Sequence, residues 1–168
     1  GAVPIFIQYL QKYESPNLQF EAAWALTNIA STDRTKLIVE YGAIPHLVAL
    51  LSSSNADLRE QCAWCLGNVA GDCVTLRDIV LQSNALNPLL ANIAHPTNVS
   101  LLRNCIWALS NFCRGKPQPD IDLISPALPV LAMVLIQHND MDALADALWA
   151  FSYLTDGNDE RIQRVIDT

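Results

Sequence analysis

The sequence has few charged residues and no long apolar run. Charged residues make up 16% of the 168 residues, against about a quarter in typical soluble domains. No apolar run reaches the roughly 18 residues of a membrane-spanning helix. Ten Lys and Arg residues stand against 17 Asp and Glu, which gives a net charge of −7. This balance disfavours binding to nucleic acid or to acidic membrane surfaces, and it favours basic partners.

The sequence also lacks the patterns of a disulfide framework, a metal site or a catalytic centre. The five cysteines are an odd number without framework spacing. Most are flanked by apolar helix formers, which predicts buried, reduced thiols. Cys62 and Cys65 form a CxxC pair, but no second pair or HxxxH motif completes a zinc site. With no glycine-rich phosphate loop either, we expect no enzyme activity, no metal and no cofactor.

What the sequence does contain is an internal repeat. Trp24, Trp64, Trp107 and Trp149 follow one another at intervals of 40, 43 and 42 residues. A second string, Gly-Ala-Val-Pro at residues 1–4, recurs with this period as Gly-Ala-Ile-Pro at residues 42–45. A period of about 40–47 residues is typical of armadillo and HEAT repeats. The sequence therefore predicts an all-α solenoid of about four repeats.

Each repeat is predicted to contain three helices, the third of which carries the tryptophan. First helices are predicted at 34–41, 76–83 and 121–124, a second helix at 45–51, and a third helix at 57–70. Predicted caps at the starts of third helices are Asn17, Asn55, Asn98 and Asp140 or Asp142. Predicted helix ends are Gly71, Gly115 and Gly157. The predicted repeats are 1–32 (without a first helix), 33–73, 74–116 and 117–157, with 158–168 as the first helix of a further repeat.

One face of the third helices combines polar and aromatic residues, and we call it the groove face. Residues three before and four after each Trp share its side of a helix. The groove face comprises Glu21, Trp24, Asn28, Gln61, Trp64, Asn68, Asn104, Trp107, Asn111, Asp146, Trp149 and Tyr153. Opposite positions such as Leu66 and Leu148 are apolar, as expected of a buried side. A periodic Trp is commonly part of a core, but buried Asn neighbours would each need a partner, so we favour exposure.

Such a face fits an extended peptide with basic side chains. Helices pack about 8–10 Å apart and an extended chain advances about 3.3 Å per residue, so each repeat meets about three peptide residues. Asn amides can pair with peptide N–H and C=O groups, and Trp rings attract cationic side chains. Asp72, after the third helix, is placed to accept an ammonium group, and Glu21 and Asp146 add negative charge.

The strings around the tryptophans resemble the armadillo domain of the importin alpha (karyopherin alpha) family, adaptors that recognise nuclear localisation signals. Residues 19–31, 64–72, 107–114 and 149–157 resemble that family's second to fifth repeats. The resemblance covers essentially the whole chain. It implies a right-handed armadillo superhelix, a role in nuclear protein import, and shuttling between cytoplasm and nucleus. It also implies importin beta as a partner, through a segment outside this chain.

The resemblance assigns roles to individual residues. Trp24, Trp64 and Trp107 would form slots for lysine and arginine, Asn28, Asn68 and Asn111 would clamp the peptide backbone, and Asp72 would hold the key lysine. Gln61, Asn104 and Asp146 would contact flanking side chains, and Tyr153 matches a family tyrosine. Further candidates are Glu21, Ser31, Thr35, Arg114 and Trp149. The loop from Ser31 is two residues shorter than the family's, and we expect Thr35 to take over its contact with the key lysine.

The two ends of the sequence are apolar. Ile5, Phe6 and Leu10 near one end and Ile162 and Ile166 near the other would lack packing partners in an isolated solenoid. We therefore expect an internal slice of a longer superhelix, with self-association through its apolar ends. The alternative function is that of an armadillo scaffold of the beta-catenin type, which typically takes acidic ligands. The net charge and the Trp and Asn pattern disfavour that alternative.

Overall fold

The computed structural model describes all 168 residues and consists of helices and turns without β-strands. The helices are α1 Val3–Leu10, α2 Pro16–Ala30, α3 Lys36–Glu40, α4 Ile44–Leu50, α5 Ala56–Asp72, α6 Val74–Gln82, α7 Leu86–Ala94, α8 Val99–Cys113, α9 Ile121–Ile124, α10 Ala127–Gln137, α11 Met141–Thr155 and α12 Asp159–Ile166. None combines the length and hydrophobicity needed to cross a bilayer. The all-α prediction is confirmed.

The helices form a solenoid in which equivalent helices stack. The four helices that carry the tryptophans pack in chain order, α2 on α5, α5 on α8 and α8 on α11. A second row contains α1 against α4 and α7 against α10, and helices of the two rows pack on each other. Because the Trp-bearing helices are neighbours in space, their equivalent side chains come to lie side by side along one surface.

The core lies between the two rows and is continuous from end to end. It is a single cluster of 44 buried apolar residues, in which Leu26, Leu66 and Leu109 are completely buried. The prediction that Leu148 belongs to this buried side is wrong, because Leu148 is 56% exposed. Its helix, α11, is the last of the Trp-bearing row, so no further helix of that row covers it.

The predicted starts of three third helices are confirmed. The side-chain oxygen of Asn55 accepts the N–H of Leu58 at 3.0 Å, and that of Asn98 accepts the N–H of Leu101 at 2.7 Å. Asp140 caps α11 in the same way. The prediction for Asn17 is wrong, because α2 begins at Pro16 with Ser15 at the cap. Proline suits the first helical position, where its missing N–H costs no hydrogen bond.

The predicted helix ends are confirmed in part. Gly115 follows α8 after one intervening residue and has a φ of +100°, the left-handed conformation that glycine allows. Gly71 does not end α5, which continues to Asp72. Gly157 lies two residues beyond the end of α11.

Four of the five cysteines are buried as predicted, and none is paired. Cys62, Cys65, Cys105 and Cys113 are completely buried, whereas Cys73, in the turn between α5 and α6, is exposed. Burial raises the pKa of Cys65, Cys105 and Cys113 to about 12. These three thiols are therefore protonated at neutral pH.

Candidate peptide-binding groove

Three of the four tryptophans of the groove face are exposed to solvent. Trp24, Trp64 and Trp149 are 47%, 44% and 54% exposed, while Trp107 is half-buried and packs against the core. The ring of Trp149 stacks on that of Tyr153, with ring centres 5.8 Å apart. Large exposed aromatic rings in a row are typical of an interaction surface.

The asparagines of the groove face are oriented by the preceding helix. Asn68 donates its Nδ2–H to the carbonyl of Thr27 at 3.4 Å, and Asn111 donates to the carbonyl of Gly67 at 3.1 Å. No hydrogen bond within the chain uses the Oδ1 of either amide. Each amide therefore keeps an acceptor and one N–H for a ligand backbone. Asn28, on the first Trp-bearing helix, is exposed.

Burial of Asn111 departs from the expectation that these amides are exposed. Asn111 is 8% exposed, and the Gly67 carbonyl supplies the partner that a buried amide needs. The requirement for a partner is thus met inside the solenoid, between one helix and the next.

Two predicted site residues, Gln61 and Thr35, are buried and hydrogen-bonded within the solenoid. Gln61 is 6% exposed and donates its Nε2–H to the hydroxyl of Thr27 at 2.7 Å, so it links α5 to α2. Thr35 is 2% exposed, and its hydroxyl lies 3.0 Å from the carbonyl of Ala30 and 2.7 Å from that of Thr32. The Thr35 hydroxyl, which was expected to contact a lysine, is therefore engaged in closing the turn after α2.

A depression of about 290 Å³ brings together residues from three parts of the chain. It lies where the turn after α2 meets the ends of α5 and α8. Predicted site residues that line it are Ser31, Asn68, Asp72, Trp107, Asn111 and Arg114. Asp72 is exposed at the end of α5 and forms no ion pair within the chain. Its carboxylate is therefore free to accept a ligand cation.

Negative charge also lies elsewhere along the Trp-bearing helices. Asn104 donates to the carboxylate of Glu60 at 2.8 Å, and the Ser100 hydroxyl donates to the same carboxylate. Glu21 is exposed on α2. Asp146 is half-buried on α11, and burial, with the nearby Asp142 carboxylate, raises its pKa. A ligand cation beside Asp146 would lower that pKa again, so the site favours a basic ligand.

Other acids near α11 are already neutralised. Arg103 on α8 donates to Asp140 at 2.6 and 2.9 Å, and its guanidinium lies 3.3 Å from Asp142. This arginine holds the pKa of Asp140 below its usual value. No group of three or more His, Cys, Asp or Glu side chains in the chain could hold a metal ion.

Comparison with known proteins identifies the family to which this repeated architecture belongs. The model of the Armadillo/beta-catenin-like repeat matches residues 1–31, 31–71 and 75–114, which together make up more than half of the chain. The chain belongs to the armadillo-repeat family. A designed armadillo repeat protein, in complex with the peptide (KR)4, has the same fold, with a TM-score of 0.89 and 24% identity over 99% of this chain and 70% of the design.

Among armadillo-repeat proteins, importin alpha subunits of plants are close in sequence. Importin subunit alpha-1b of Oryza sativa subsp. japonica is 55% identical over the whole chain, and importin subunit alpha-2 of Arabidopsis thaliana is 53% identical over 99% of it. The chain spans about a third of the length of these relatives, 32% and 31% respectively. The predicted resemblance to importin alpha is confirmed.

Sequence reasoning missed three residues that shape this armadillo groove. Thr32 lines the depression, and Glu60 adds a carboxylate one helical turn before Trp64. Arg77 is completely buried in α6 and donates to the carbonyls of Arg114 and Pro117 at 2.7 and 2.9 Å, which holds the loop after α8. The i, i+4 spacing to Trp64 could have revealed Glu60. The sequence does not indicate that Arg77 is buried, because most arginines on short amphipathic helices are exposed.

Proposed function

We propose that this chain is a peptide-binding part of a nuclear import adaptor and that its groove binds extended Lys/Arg-rich nuclear localisation signals. The observation that carries the proposal is the row of exposed Trp and oriented Asn side chains beside the unpaired carboxylate of Asp72. The 55% identity to an importin alpha subunit supports it. Such an adaptor carries cargo without catalysis and moves between cytoplasm and nucleus.

Each side chain of the groove face has a separate task in this proposal. The faces of Trp24, Trp64 and Trp107 hold aliphatic stems that end in a cation, at about 0.5–2 kcal/mol per contact. Asn28, Asn68 and Asn111 bond the peptide backbone, and Asp72 accepts the ammonium group of one lysine. Asn104, Asp146, Trp149 and Tyr153 extend the surface along α8 and α11, with Glu21, Ser31 and Arg114 at its margins. Thr35 and Gln61 do not contact the peptide.

The wider organisation is also part of the proposal. The repeats comprise residues 1–32, 33–73, 74–116 and 117–157, and residues 158–168 begin a further repeat. In the whole protein, importin beta is a partner through a segment outside these 168 residues. The surplus of acidic residues in the chain favours basic cargo peptides over acidic ones.

Titration with a labelled lysine-rich peptide tests the proposal. Intrinsic Trp fluorescence reports binding, and the control is the same peptide with its central lysine replaced by threonine. We expect a Kd of about 1 μM or lower, which weakens as salt rises. The control peptide should lose its binding at near-physiological salt. Absence of binding by the lysine peptide even at low salt would contradict the proposal.

A further inference from the structure

Trp64 and Trp107 occupy equivalent positions, yet they sit differently in the groove. Each lies on a helix that has a Trp-bearing helix on both sides. Trp64 is 44% exposed, whereas Trp107 is half-buried against the core. The equivalent residue on the preceding helix also differs. Three residues after the preceding tryptophan stands Thr27 on α2, before Trp64, and Gly67 on α5, before Trp107.

Gly67 allows Trp107 to lie close to the backbone of α5. A methyl group added to Gly67 would lie 2.5 Å from Cζ3 of Trp107 and 3.0 Å from Cβ of Ala108. Favourable contacts between carbon atoms lie at about 3.5–4.0 Å. The indole of Trp107 can therefore rest on the backbone of α5 only because this residue has no side chain.

One helical turn later, Gly71 lies close to Asn111, with a looser fit than that of Gly67 and Trp107. A methyl group added to Gly71 would lie 3.1 Å from Nδ2 and 3.2 Å from Cγ of Asn111. Both glycines lie inside α5, and neither has a positive φ. Glycine weakens a helix relative to alanine. The backbone conformation does not require it here, so the reason lies in packing against α8.

We propose that Gly67 and Gly71 are positioning residues of the groove. They allow Trp107 and Asn111 to lie close to the backbone of α5. The depression beside Asp72 is thereby deeper and becomes selective for lysine. Both glycines line that depression. An unbranched lysine stem can enter it while its ammonium group reaches the carboxylate at the rim. The inference rests on the proposed function, because it assigns the selectivity of that function to one place in the groove.

The Gly71→Ala variant separates this role from a structural one. Alanine favours the helix, so we expect an unchanged or higher Tm. The added methyl displaces the Asn111 amide and makes the depression shallower. At low salt, where both peptides bind, we expect the preference for a lysine peptide over the same peptide with alanine at the central lysine to fall by about tenfold. A change in stability alone would not lower the preference for the lysine peptide while the Tm stays unchanged or rises.

Two further variants complete the test. Gly67→Ala should shift the indole N–H signal of Trp107 in the ¹H–¹⁵N NMR spectrum more than that of Trp24. Ser110→Ala, at the equivalent position of α8, is the matched control, because the Ser110 hydroxyl donates to the Trp107 carbonyl within its own helix. The Ser110→Ala variant should keep the full preference for the lysine peptide over the alanine peptide.

The outcomes distinguish this inference from the proposed function. A lower preference in Gly71→Ala with full preference in Ser110→Ala supports the inference. Full preference in Gly71→Ala overturns it while the proposed function stands. If the unmodified chain binds neither peptide at low salt, the proposed function fails, and the inference fails with it.

Discussion

Each tryptophan of the groove face offers a flat apolar ring whose electrons attract cations, and Trp64 and Trp107 lie on α5 and α8, the two central helices of the Trp-bearing row. Because both rings would contact the same stretch of peptide, their loss should remove the largest share of the contact area. For the Trp64→Ala/Trp107→Ala double variant we expect a loss of roughly 2–4 kcal/mol in binding free energy for a lysine-rich peptide, as for binding hot spots. Isothermal titration calorimetry measures this loss.

The control for this variant is Tyr41→Ala, because Tyr41 is 51% exposed on the turn after α3, away from the groove face. It should bind the peptide as tightly as the unmodified chain does. Trp107 also packs against the core, so circular dichroism must show that the double variant is folded. Full affinity in a folded double variant would refute the assignment of the tryptophans to the ligand.

The cysteines should differ sharply in reactivity. Alkylation requires an accessible thiolate, and Cys65, Cys105 and Cys113 are completely buried with a pKa raised to about 12. Burial also raises the pKa of Cys62. Iodoacetamide should therefore modify Cys73 alone in the native chain, and all five cysteines in denaturant. Intact mass spectrometry counts the adducts. Cys73→Ser should take up none, and several adducts on the folded chain would contradict this burial.

At the scale of the helix, three of the four Trp-bearing helices begin with a side-chain cap, and α2 does not. Asn98 accepts the N–H of Leu101 at 2.7 Å at the start of α8. Asn98→Ala removes this bond, so we expect about 1 kcal/mol lower stability. Asn17→Ala is the control, because Asn17 lies inside the first turn of α2 and caps nothing. Urea denaturation measures both, and an equal loss in the two variants would disprove the assignment of the caps.

Between helices, hydrogen bonds and close packing determine where the groove side chains lie. Asn68 is tied to α2 and Asn111 to α5 through backbone carbonyls of the preceding helix. Gln61 is tied to α2 as well, through Thr27. One row of polar side chains therefore serves two purposes, since some members join neighbouring helices while others face the groove.

At the scale of the whole molecule, the last repeat leaves apolar surface uncovered. Ile136, Met141 and Leu148 are 82%, 76% and 56% exposed, and a cavity of about 370 Å³ beside Leu148 and Trp149 is mostly apolar. Exposed apolar patches of this kind promote association. We expect the sedimentation coefficient of the chain to rise with concentration. Leu148→Glu should reduce this rise, whereas Gln82→Glu, at an exposed position at the end of α6, should not. A monomer at every concentration would contradict the expectation.

The sequence by itself determined the repeated, all-helical architecture and most of the groove face. The interval between tryptophans, the caps at Asn55 and Asn98, and the apolar positions opposite each Trp are local properties of one helix. Helical periodicity is enough to place residues on the same side of a helix. The asparagine near each Trp led to the prediction that the tryptophans are exposed, which holds for Trp24, Trp64 and Trp149 but only partly for Trp107.

Only the tertiary structure decided which polar residues of that face point into the open groove and which bond to a neighbouring helix. The side of a helix that periodicity defines is divided between the open groove and the neighbouring helix, and this division depends on the distance and orientation of that neighbour. For this reason Gln61 and Thr35 proved to be buried, Asn111 found its partner in α5, and Leu148 was left exposed. For the same reason Gly71, expected to end a helix, lies inside α5 and makes room for Asn111.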